Sequence, residues 1–259
     1  MEFVKSKDTR GINRTSKKYF LDCNTKISGN TNTREWLIIK NIILNQKVME
    51  GLLDNNMKVV IKINTKENID KEYNINKQLE NFKGFVRYIC KFSCKDDLNK
   101  YKHDDGSWNE GFCDPNGKDK TNTIVMPYYK LGNIRQYPWN KDTFDIFKKL
   151  IKNVVKILIY TNKEIGFLHN DLHLDNIMIT NNCKVRIIDF ELSTINEDDK
   201  SNYKKLGMDF RKLFSDIGLL LFINPYTIDN IIRFTTKMRE VVVVNIDDIY
   251  CLIDKLEYR

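Results

Sequence analysis

The feature that most constrains the fold is a polar octapeptide set between hydrophobic segments. Residues 169–176 read HNDLHLDN, and Asp189 follows thirteen residues after Asn176, in the apolar run VRIIDF. Asp171 and Asn176 lie in one loop, and two β-like segments, NIMIT and KVRIID, separate this loop from Asp189. Because a hairpin returns the chain to its starting point, we expect Asp189 to lie near Asn176.

These residue types are suited to divalent-metal and proton chemistry. Carboxylate and amide oxygens are hard ligands of the kind that Mg²⁺ prefers, so Asn176 and Asp189 are candidate metal ligands. Asp171 is then available to orient a hydroxyl group and to accept its proton. Either acid taken alone could simply cap a turn, so the prediction depends on the whole set.

The first half of the chain predicts mostly strands. Segments rich in β-branched residues lie at 35–44, 58–63, 84–94 and 121–129, although the first could also be helical. Residues 67–82 favour a helix, and residues 95–120 predict a long polar loop with tight turns. Residues 1–26 are polar with little periodicity and predict a loose tail or an irregular first segment.

The second half predicts mostly helices. From Asp142, which is expected to be an N-cap, apolar residues recur with a helical period over about five turns. Residues 203–259 also read mainly as helix. We therefore predict an α+β fold of two lobes, with residues 27–127 rich in strand and residues 128–259 mostly helical.

The loop HNDLHLDN and the turn IIDFE resemble the catalytic loop and the metal-binding turn of protein kinases. The resemblance implies that Asp171 is the catalytic base and that Asn176 and Asp189 hold the Mg²⁺ ions bound to ATP. His173 stands two residues after the base, where the family usually has lysine. We expect His173 either to contact the γ-phosphate or to tie the loop to a neighbour.

The segment VVIKI resembles the kinase strand that carries the phosphate-orienting lysine, here Lys62. The family's glutamate partner opens the next helix. Glu72 has apolar residues at the third and seventh positions after it, which leaves Glu80 as the weaker alternative. A lysine on a buried strand needs a counter-charge, and the resemblance implies that the pair holds the ammonium against the α- and β-phosphates of ATP.

The segment IVMPYYKLGNI resembles the kinase hinge. It implies that Met126 is the gatekeeper and that the Pro127 carbonyl and the Tyr129 amide meet adenine. Proline loses nothing at this position because only its C=O group is used. The phosphate-covering GxGxxG loop is absent from the sequence, and Gly29, in ISGNTNT, is the candidate for a turn that offers N–H groups to phosphate.

The resemblance covers residues 58–222, and two features depart from the usual protein kinase pattern. Glu191 stands in place of the glycine of DFG, and no APE sequence follows. Asp209, in GMDFRKLF, stands where the family has a buried helix aspartate that holds the catalytic loop. Together with HxDLHxxN, these features resemble haspin-like atypical kinases and the minimal Ser/Thr protein kinases of large DNA viruses. The combination HND…IDFE is also similar to choline kinases and aminoglycoside phosphotransferases.

Three functions therefore stay open. A Ser/Thr protein kinase is favoured, with ATP and Mg²⁺ as the implied cofactors and a protein as the substrate. A small-molecule kinase normally needs a helical insert after the hinge and a longer tail. A non-catalytic pseudokinase that binds a partner usually lacks at least one of the key polar residues, and all four of the implied phosphate, proton and metal residues are present here.

Composition limits the partners and the compartment. The chain has 259 residues and a formal net charge of +8, which permits an acidic or chromatin-associated partner. Its lysines are scattered among Asn, Asp and Glu, which favours a solvated surface, so we predict no direct nucleic-acid binding. We expect no secretory signal, because the N-terminal MEFVKSKDTRG lacks an apolar segment, and no membrane span, because the longest apolar runs are too short. We expect an intracellular protein, cytoplasmic or nuclear, in a host cell or virion if viral.

The thiols of Cys90, Cys94 and Cys113 with His103 fit no common zinc spacing.

Overall fold

The computed structural model describes residues 2–7, 13–21, 35–45, 48–53, 57–96, 119–220, 223, 233 and 246–258. The chain divides into two compact units, one of Met1–Tyr73 with Arg87–Tyr128 and the other of Asn74–Val86 with Tyr129–Arg259. Strands dominate the first unit and helices the second, so the predicted α+β class is confirmed. Among the described residues, no helix has the length and apolar character needed to cross a bilayer.

The first unit contains a seven-stranded sheet. Its strands are β1 (Glu2–Lys7), β2 (Asn13–Leu21), β3 (Glu35–Asn45), β4 (Val48–Leu53), β5 (Lys58–Asn64), β6 (Cys90–Asp96) and β7 (Asp119–Pro127). The spatial order is β1-β2-β3-β4-β5-β7-β6, and every neighbouring pair is antiparallel. The strands predicted at 35–44, 58–63 and 121–129 are therefore confirmed.

Two predictions about local structure in this half were wrong. The N-terminal 26 residues contain β1 and β2, because β1 pairs with β2 and β2 pairs with β3, and this pairing satisfies backbone hydrogen bonds whatever the side-chain pattern. In the segment 84–94 the strand begins only at Cys90, and Phe85 instead forms a parallel bridge with Ile187. Most of the predicted polar loop, residues 97–118, lies outside the described residues, together with His103 and Cys113.

Helix α1 (Lys66–Gln78) follows β5 directly. It is shorter than the predicted 67–82, because the chain turns after Gln78: the Phe82 N–H donates to the Leu79 carbonyl at 2.9 Å. On β5, Val59 and Ile61 are fully buried. Lys62 is 9% exposed and pairs in register with Ile124 of β7, so a charged residue lies inside the apolar part of the sheet.

The second unit is built on helix α2 (Phe144–Ile165), joined by α3 (Tyr203–Gly218) and α4 (Ile246–Asp254). The apolar face of α2 is buried along its length, as the helical period predicts. Asp142 is not the N-cap. A short 3₁₀ turn, Lys141–Thr143, precedes α2, and Asn140 caps it by accepting the Thr143 N–H at 2.9 Å.

Four short strands frame the polar octapeptide. They are β8 (Phe167–Leu168), β9 (Ile177–Ile179), β10 (Val185–Ile187) and β11 (Thr194–Ile195). β9 and β10 form the predicted hairpin, with Ile177 opposite Ile187, and β8 pairs with β11. The octapeptide lies between β8 and β9, and the segment that follows Asp189 leads into β11.

Candidate functional site

Helix α3 anchors the start of the octapeptide. The buried carboxylate of Asp209 accepts the backbone N–H of His169 and that of Asn170, each at 2.8 Å. Asn170 has a left-handed backbone, with φ of 63°, which this pair of hydrogen bonds holds in place. The expectation that Asp209 holds the loop is confirmed by these contacts.

His169 is fully buried and is held at both ring nitrogens. Its Nε2 lies 3.0 Å from the Ile188 carbonyl, which can only accept, so Nε2 carries the proton. Nδ1 then accepts the N–H of Asp171 at 3.3 Å. Burial lowers the pKa of His169 to about 4. The hydrogen bond with the Ile188 carbonyl and the nearby charge of Asp189 act in the opposite direction and raise the pKa, but burial is the larger effect. The imidazole is therefore neutral at physiological pH and acts as a structural link.

Burial has the opposite effect on Asp209. It raises the pKa of Asp209 to about 6, while the N–H groups of His169 and Asn170 and the charge of Lys212 lower it. A buried carboxyl group pays for desolvation of its charged form, and the two N–H donors offset part of that cost. Asp209 is ionised at neutral pH, in the form that accepts both hydrogen bonds.

Asp171 and Asn176 are joined inside the octapeptide. The Asn176 side-chain Nδ2 donates to the Asp171 backbone carbonyl at 3.0 Å, and only 5% of Asn176 is exposed. Because this hydrogen bond uses the amide nitrogen, it orients the Oδ1 atom to the other side of the amide group. That oxygen is a hard ligand of the type suited to Mg²⁺.

The residue before Asp189 is bonded directly to the octapeptide. The Ile188 N–H donates to the Asn176 carbonyl at 3.0 Å, so the hairpin returns the chain to Asn176 as the sequence predicts. Asp189 is half-buried and has a left-handed backbone with φ of 66°. Phe190 is fully buried, and its ring packs edge-on against Phe85 with centroids 6.0 Å apart. The carboxylate of Asp189 and the amide oxygen of Asn176 are thus oxygen donors on adjoining backbone segments, a donor set that fits a divalent ion.

Sequence reasoning missed two further contacts of α3 with the octapeptide, those of Asp216 and Lys212. Asp216 accepts the Leu174 N–H at 2.7 Å and is also paired with Arg135. Arg135 reaches Asp175 as well, with Nε 2.8 Å from Oδ2. Lys212 donates to Oδ1 of Asp171. The available signal was the spacing of Asp209, Lys212 and Asp216, which places three charged residues on one face of a helix.

His173 lies near two carboxylates without a hydrogen bond to either. Its Nε2 is 3.7 Å from Oδ2 of Asp171, and its Nδ1 is 3.5 Å from Oδ2 of Asp175. His173, Asp175 and Asp216 are close enough to be considered as a metal site. However, Arg135 already pairs with both Asp175 and Asp216, and the Leu174 N–H donates to Asp216. Asp175 and Asp216 therefore anchor the loop through these contacts.

In the first unit, Lys62 and Glu72 form a buried ion pair. Lys62 Nζ lies 2.9 Å from Glu72 Oε2, and Glu72 is completely buried. The Tyr88 hydroxyl donates to the other oxygen of Glu72 at 2.5 Å. Glu80 instead makes an exposed contact with Lys77 at 3.8 Å. Of the two glutamates considered from the sequence, Glu72 is the partner of Lys62.

The predicted hinge residues lie at and just after the end of β7. Met126 is 7% exposed and faces Val60 across the sheet, and Pro127 is the last residue of the strand. Tyr129 belongs to the second unit, where its carbonyl accepts the Gly132 N–H at 3.0 Å. Burial raises the pKa of the Tyr129 hydroxyl to about 12, although the charge of Arg186 lowers it. Gly29 lies outside the described residues.

The known proteins that the sequence resembles are kinases. Residues 139–218, which include the octapeptide, Asp189 and α3, match the family model of the haspin-like kinase domain. Over 85 residues, 32% of the chain, the sequence is 32% identical to the NUAK family SNF1-like kinase 1 of Mus musculus and of Homo sapiens. Over 128 residues, 48% of the chain, it is 27% identical to the eIF-2-alpha kinase GCN2 of Schizosaccharomyces pombe.

These matches are partial. The chain spans 13% of the length of the two NUAK proteins and 8% of that of the GCN2 protein. The resemblance to viral kinases stays a prediction. The predicted resemblance to protein kinases is itself confirmed: this chain has a protein kinase-like fold, with its segment 139–218 similar to the haspin-like kinase domain.

Proposed function

We propose that the chain is an ATP-dependent protein kinase that moves the γ-phosphate of ATP to a serine or threonine hydroxyl of a protein. The observation that carries the proposal is the anchoring of the octapeptide. Asp209 holds its first two N–H groups, and Asn176 is hydrogen-bonded to the Asp171 carbonyl. This arrangement supports Asp171 as the base because its backbone is fixed while its side chain is partly exposed, at 28%.

In the proposed mechanism, the site orients the substrate hydroxyl and the phosphates of ATP and neutralises the phosphate charge. Asp171 orients the substrate hydroxyl and accepts its proton as the phosphoryl group arrives. Asn176 and Asp189 are the proposed ligands of Mg²⁺, which when bound neutralises charge on the phosphate oxygens. Lys62, held by Glu72, is proposed to orient the α- and β-phosphates. Met126, Pro127 and Tyr129 are proposed to contact adenine.

The charge of the chain supports an acidic protein as the substrate. A formal net charge of +8 attracts an acidic partner and speeds its encounter at low salt. A chromatin-associated substrate is the second class considered. We further propose that the protein acts inside the cell, in the cytoplasm or nucleus, and that its relatives include viral kinases.

The test is phosphate transfer from γ-labelled ATP with Mg²⁺. The acceptors are dephosphorylated casein, core histones, choline and kanamycin. We expect label on a protein, at serine or threonine, and a loss of at least about 100-fold in Asp171→Asn, because general-base catalysis contributes that much. Asp198→Asn removes an exposed acid outside the octapeptide and is the matched control, with expected wild-type activity.

Nucleotide binding is measured on the same variants. Mg-ATP should raise the Tm of the wild type and of Asp171→Asn equally, since Asp171 is assigned to proton transfer. Label on choline or kanamycin alone would favour a small-molecule kinase. An unlabelled set of acceptors together with an unchanged Tm would refute the kinase proposal and favour a partner-binding role.

A further inference from the structure

Helix α3 directs three charged residues at the octapeptide. Asp209, Lys212 and Asp216 are spaced three and then four residues apart, so they share one face of the helix. Asp209 holds the N–H groups at the start of the octapeptide, and Asp216 holds the Leu174 N–H at 2.7 Å. Lys212 lies between these two anchors in sequence, and its ammonium donates to Oδ1 of Asp171.

The residue at the family's usual lysine position does not make this contact. His173 Nε2 is 3.7 Å from Asp171 Oδ2, which is too long for a hydrogen bond. A histidine also carries a full positive charge only when it is protonated, whereas a lysine is a compact cation at neutral pH. The cation that contacts Asp171 therefore comes from a different element of the fold.

We propose that Lys212 is the positioning residue for Asp171. Its ammonium holds Oδ1 and leaves Oδ2 to face the hydroxyl that is phosphorylated. This inference rests on the proposed function. Lys212 acts through Asp171, so it serves the transfer step more than the binding of nucleotide.

The surroundings distinguish this contact from an ordinary surface ion pair. Exposed pairs contribute little because both long side chains must be ordered to form them. Here both backbones are already fixed. Lys212 is followed on α3 by Leu213 and Phe214, which are fully buried, and the backbone of the octapeptide is bonded to the same helix. What is left to be ordered is the lysine side chain, 48% exposed, and the short side chain of Asp171, 28% exposed.

Steady-state kinetics on four variants test the proposal, with γ-labelled ATP and the protein that the wild type labels best. In Lys212→Met we expect kcat to fall about 10- to 100-fold while the KM for ATP stays within about twofold. Lys212→Arg should keep most of the activity. Adding His173→Lys to Lys212→Met should restore kcat at least about tenfold, because it returns a cation to Asp171. Arg211→Met, which removes an exposed neighbouring charge, should behave as the wild type.

A second measurement does not depend on activity. Acylation of lysine amines by an N-hydroxysuccinimide ester, followed by mass spectrometry, reports how accessible Lys212 is. In Asp171→Asn the rate at Lys212 should rise severalfold, because its hydrogen-bond acceptor is weakened. The rate at Lys204, exposed on the same helix, should not change.

Three outcomes would overturn the proposal. The first is a wild-type kcat in Lys212→Met, and the second is a loss that neither arginine nor His173→Lys restores, which would indicate a structural role. The third is an unchanged acylation rate at Lys212 in Asp171→Asn. If the wild type transfers no phosphate at all, the proposed function itself fails, and the acylation result still decides whether Lys212 contacts Asp171.

Discussion

At the scale of single residues, two buried ionisable side chains respond to burial in opposite directions, and they are linked by the His169 backbone N–H, which donates to the Asp209 carboxylate. The pKa of His169 is lowered to about 4 and that of Asp209 is raised to about 6. Burial disfavours the charged form of each, and that form is the protonated one for histidine and the deprotonated one for aspartate. The pair therefore has a pH response that neither residue would have alone.

The two residues should have opposing effects on stability between pH 6.5 and pH 4. As the pH falls, unfolded His169 takes up a proton that folded His169 does not, so the free energy of unfolding decreases. Folded Asp209 takes up a proton before unfolded Asp209 does, so the free energy of unfolding increases. In Asp209→Asn only the histidine effect is left, and we expect stability to fall more steeply on acidification, by up to about 1.4 kcal/mol per pH unit relative to the wild type.

Urea unfolding at several pH values between 4.5 and 7 measures these slopes. The comparison is with His169→Asn, in which only the Asp209 effect is left and the slope should deviate from the wild type in the opposite direction. Parallel slopes in the wild type and both variants would contradict the assignment, whatever the absolute stability of each protein.

Removal of Glu72 should be costly, because the carboxylate is completely buried and contacts both Lys62 and Tyr88. In Glu72→Ala the Lys62 ammonium loses the carboxylate that compensates its charge, and we expect a loss of about 3 kcal/mol in the free energy of unfolding. The matched control is Glu80→Ala, which removes an exposed contact with Lys77 and should cost below about 0.5 kcal/mol. If urea unfolding gave the same decrease in the free energy of unfolding for both variants, the pairing of Glu72 with Lys62 would be contradicted.

At the scale of elements, the end of α2 determines where the segment after Asp189 runs. Gly166, the C-cap of α2, has φ of 66°, and its N–H donates to the Asn162 carbonyl at 2.8 Å. A Cβ at this position would lie 1.7 Å from the Asn196 carbonyl oxygen. The pairing of β8 with β11 therefore requires a glycine at the end of the helix.

Gly166→Ala should destabilise the protein by more than the strain of a left-handed alanine, which is about 1–2 kcal/mol, because backbone atoms must also move apart. Gly132→Ala is the control. Gly132 also has a positive φ, of 72°, but the nearest atom to its Cβ position is the flexible Gln136 Oε1 at 3.5 Å. Urea unfolding of both variants separates the backbone strain from the clash with Asn196. Equal decreases in the free energy of unfolding would show that the Asn196 backbone moves aside without destabilising the protein.

At the scale of the whole molecule, nucleotide binding should appear as added stability. A ligand at a hundredfold excess over its Kd stabilises the native state by about 2.7 kcal/mol. We expect Mg-ATP to raise the Tm of the wild type and to raise that of Lys62→Met much less, because Lys62 is assigned to the phosphates. Lys71→Met, which removes an exposed charge beside Glu72 in the sequence, should respond as the wild type does. If Mg-ATP raised the Tm of Lys62→Met as much as that of the wild type, Lys62 would not be a nucleotide-binding residue.

Short-range patterns in the sequence were enough for most of the elements and for the kinase-like order of residues. The alternation of β-branched residues predicted β3, β5 and β7, and the helical period predicted α2. These predictions succeed because strand and helix periodicity depend on neighbours within a few residues. The same local reasoning placed the cap of α2 at Asp142, and it could not foresee that Asn140 would start a 3₁₀ turn.

The sequence by itself determined which polar residues the octapeptide and the following turn offer. Only the tertiary structure decided what holds them. Asp209 and Glu72 were expected from their places in the sequence, whereas the contacts of Lys212 with Asp171 and of Asp216 with the Leu174 N–H, which join residues about forty positions apart, were not. Such contacts depend on which side chains are removed from water together when the chain packs, and the spacing of charges along α3 does not say which partners they meet.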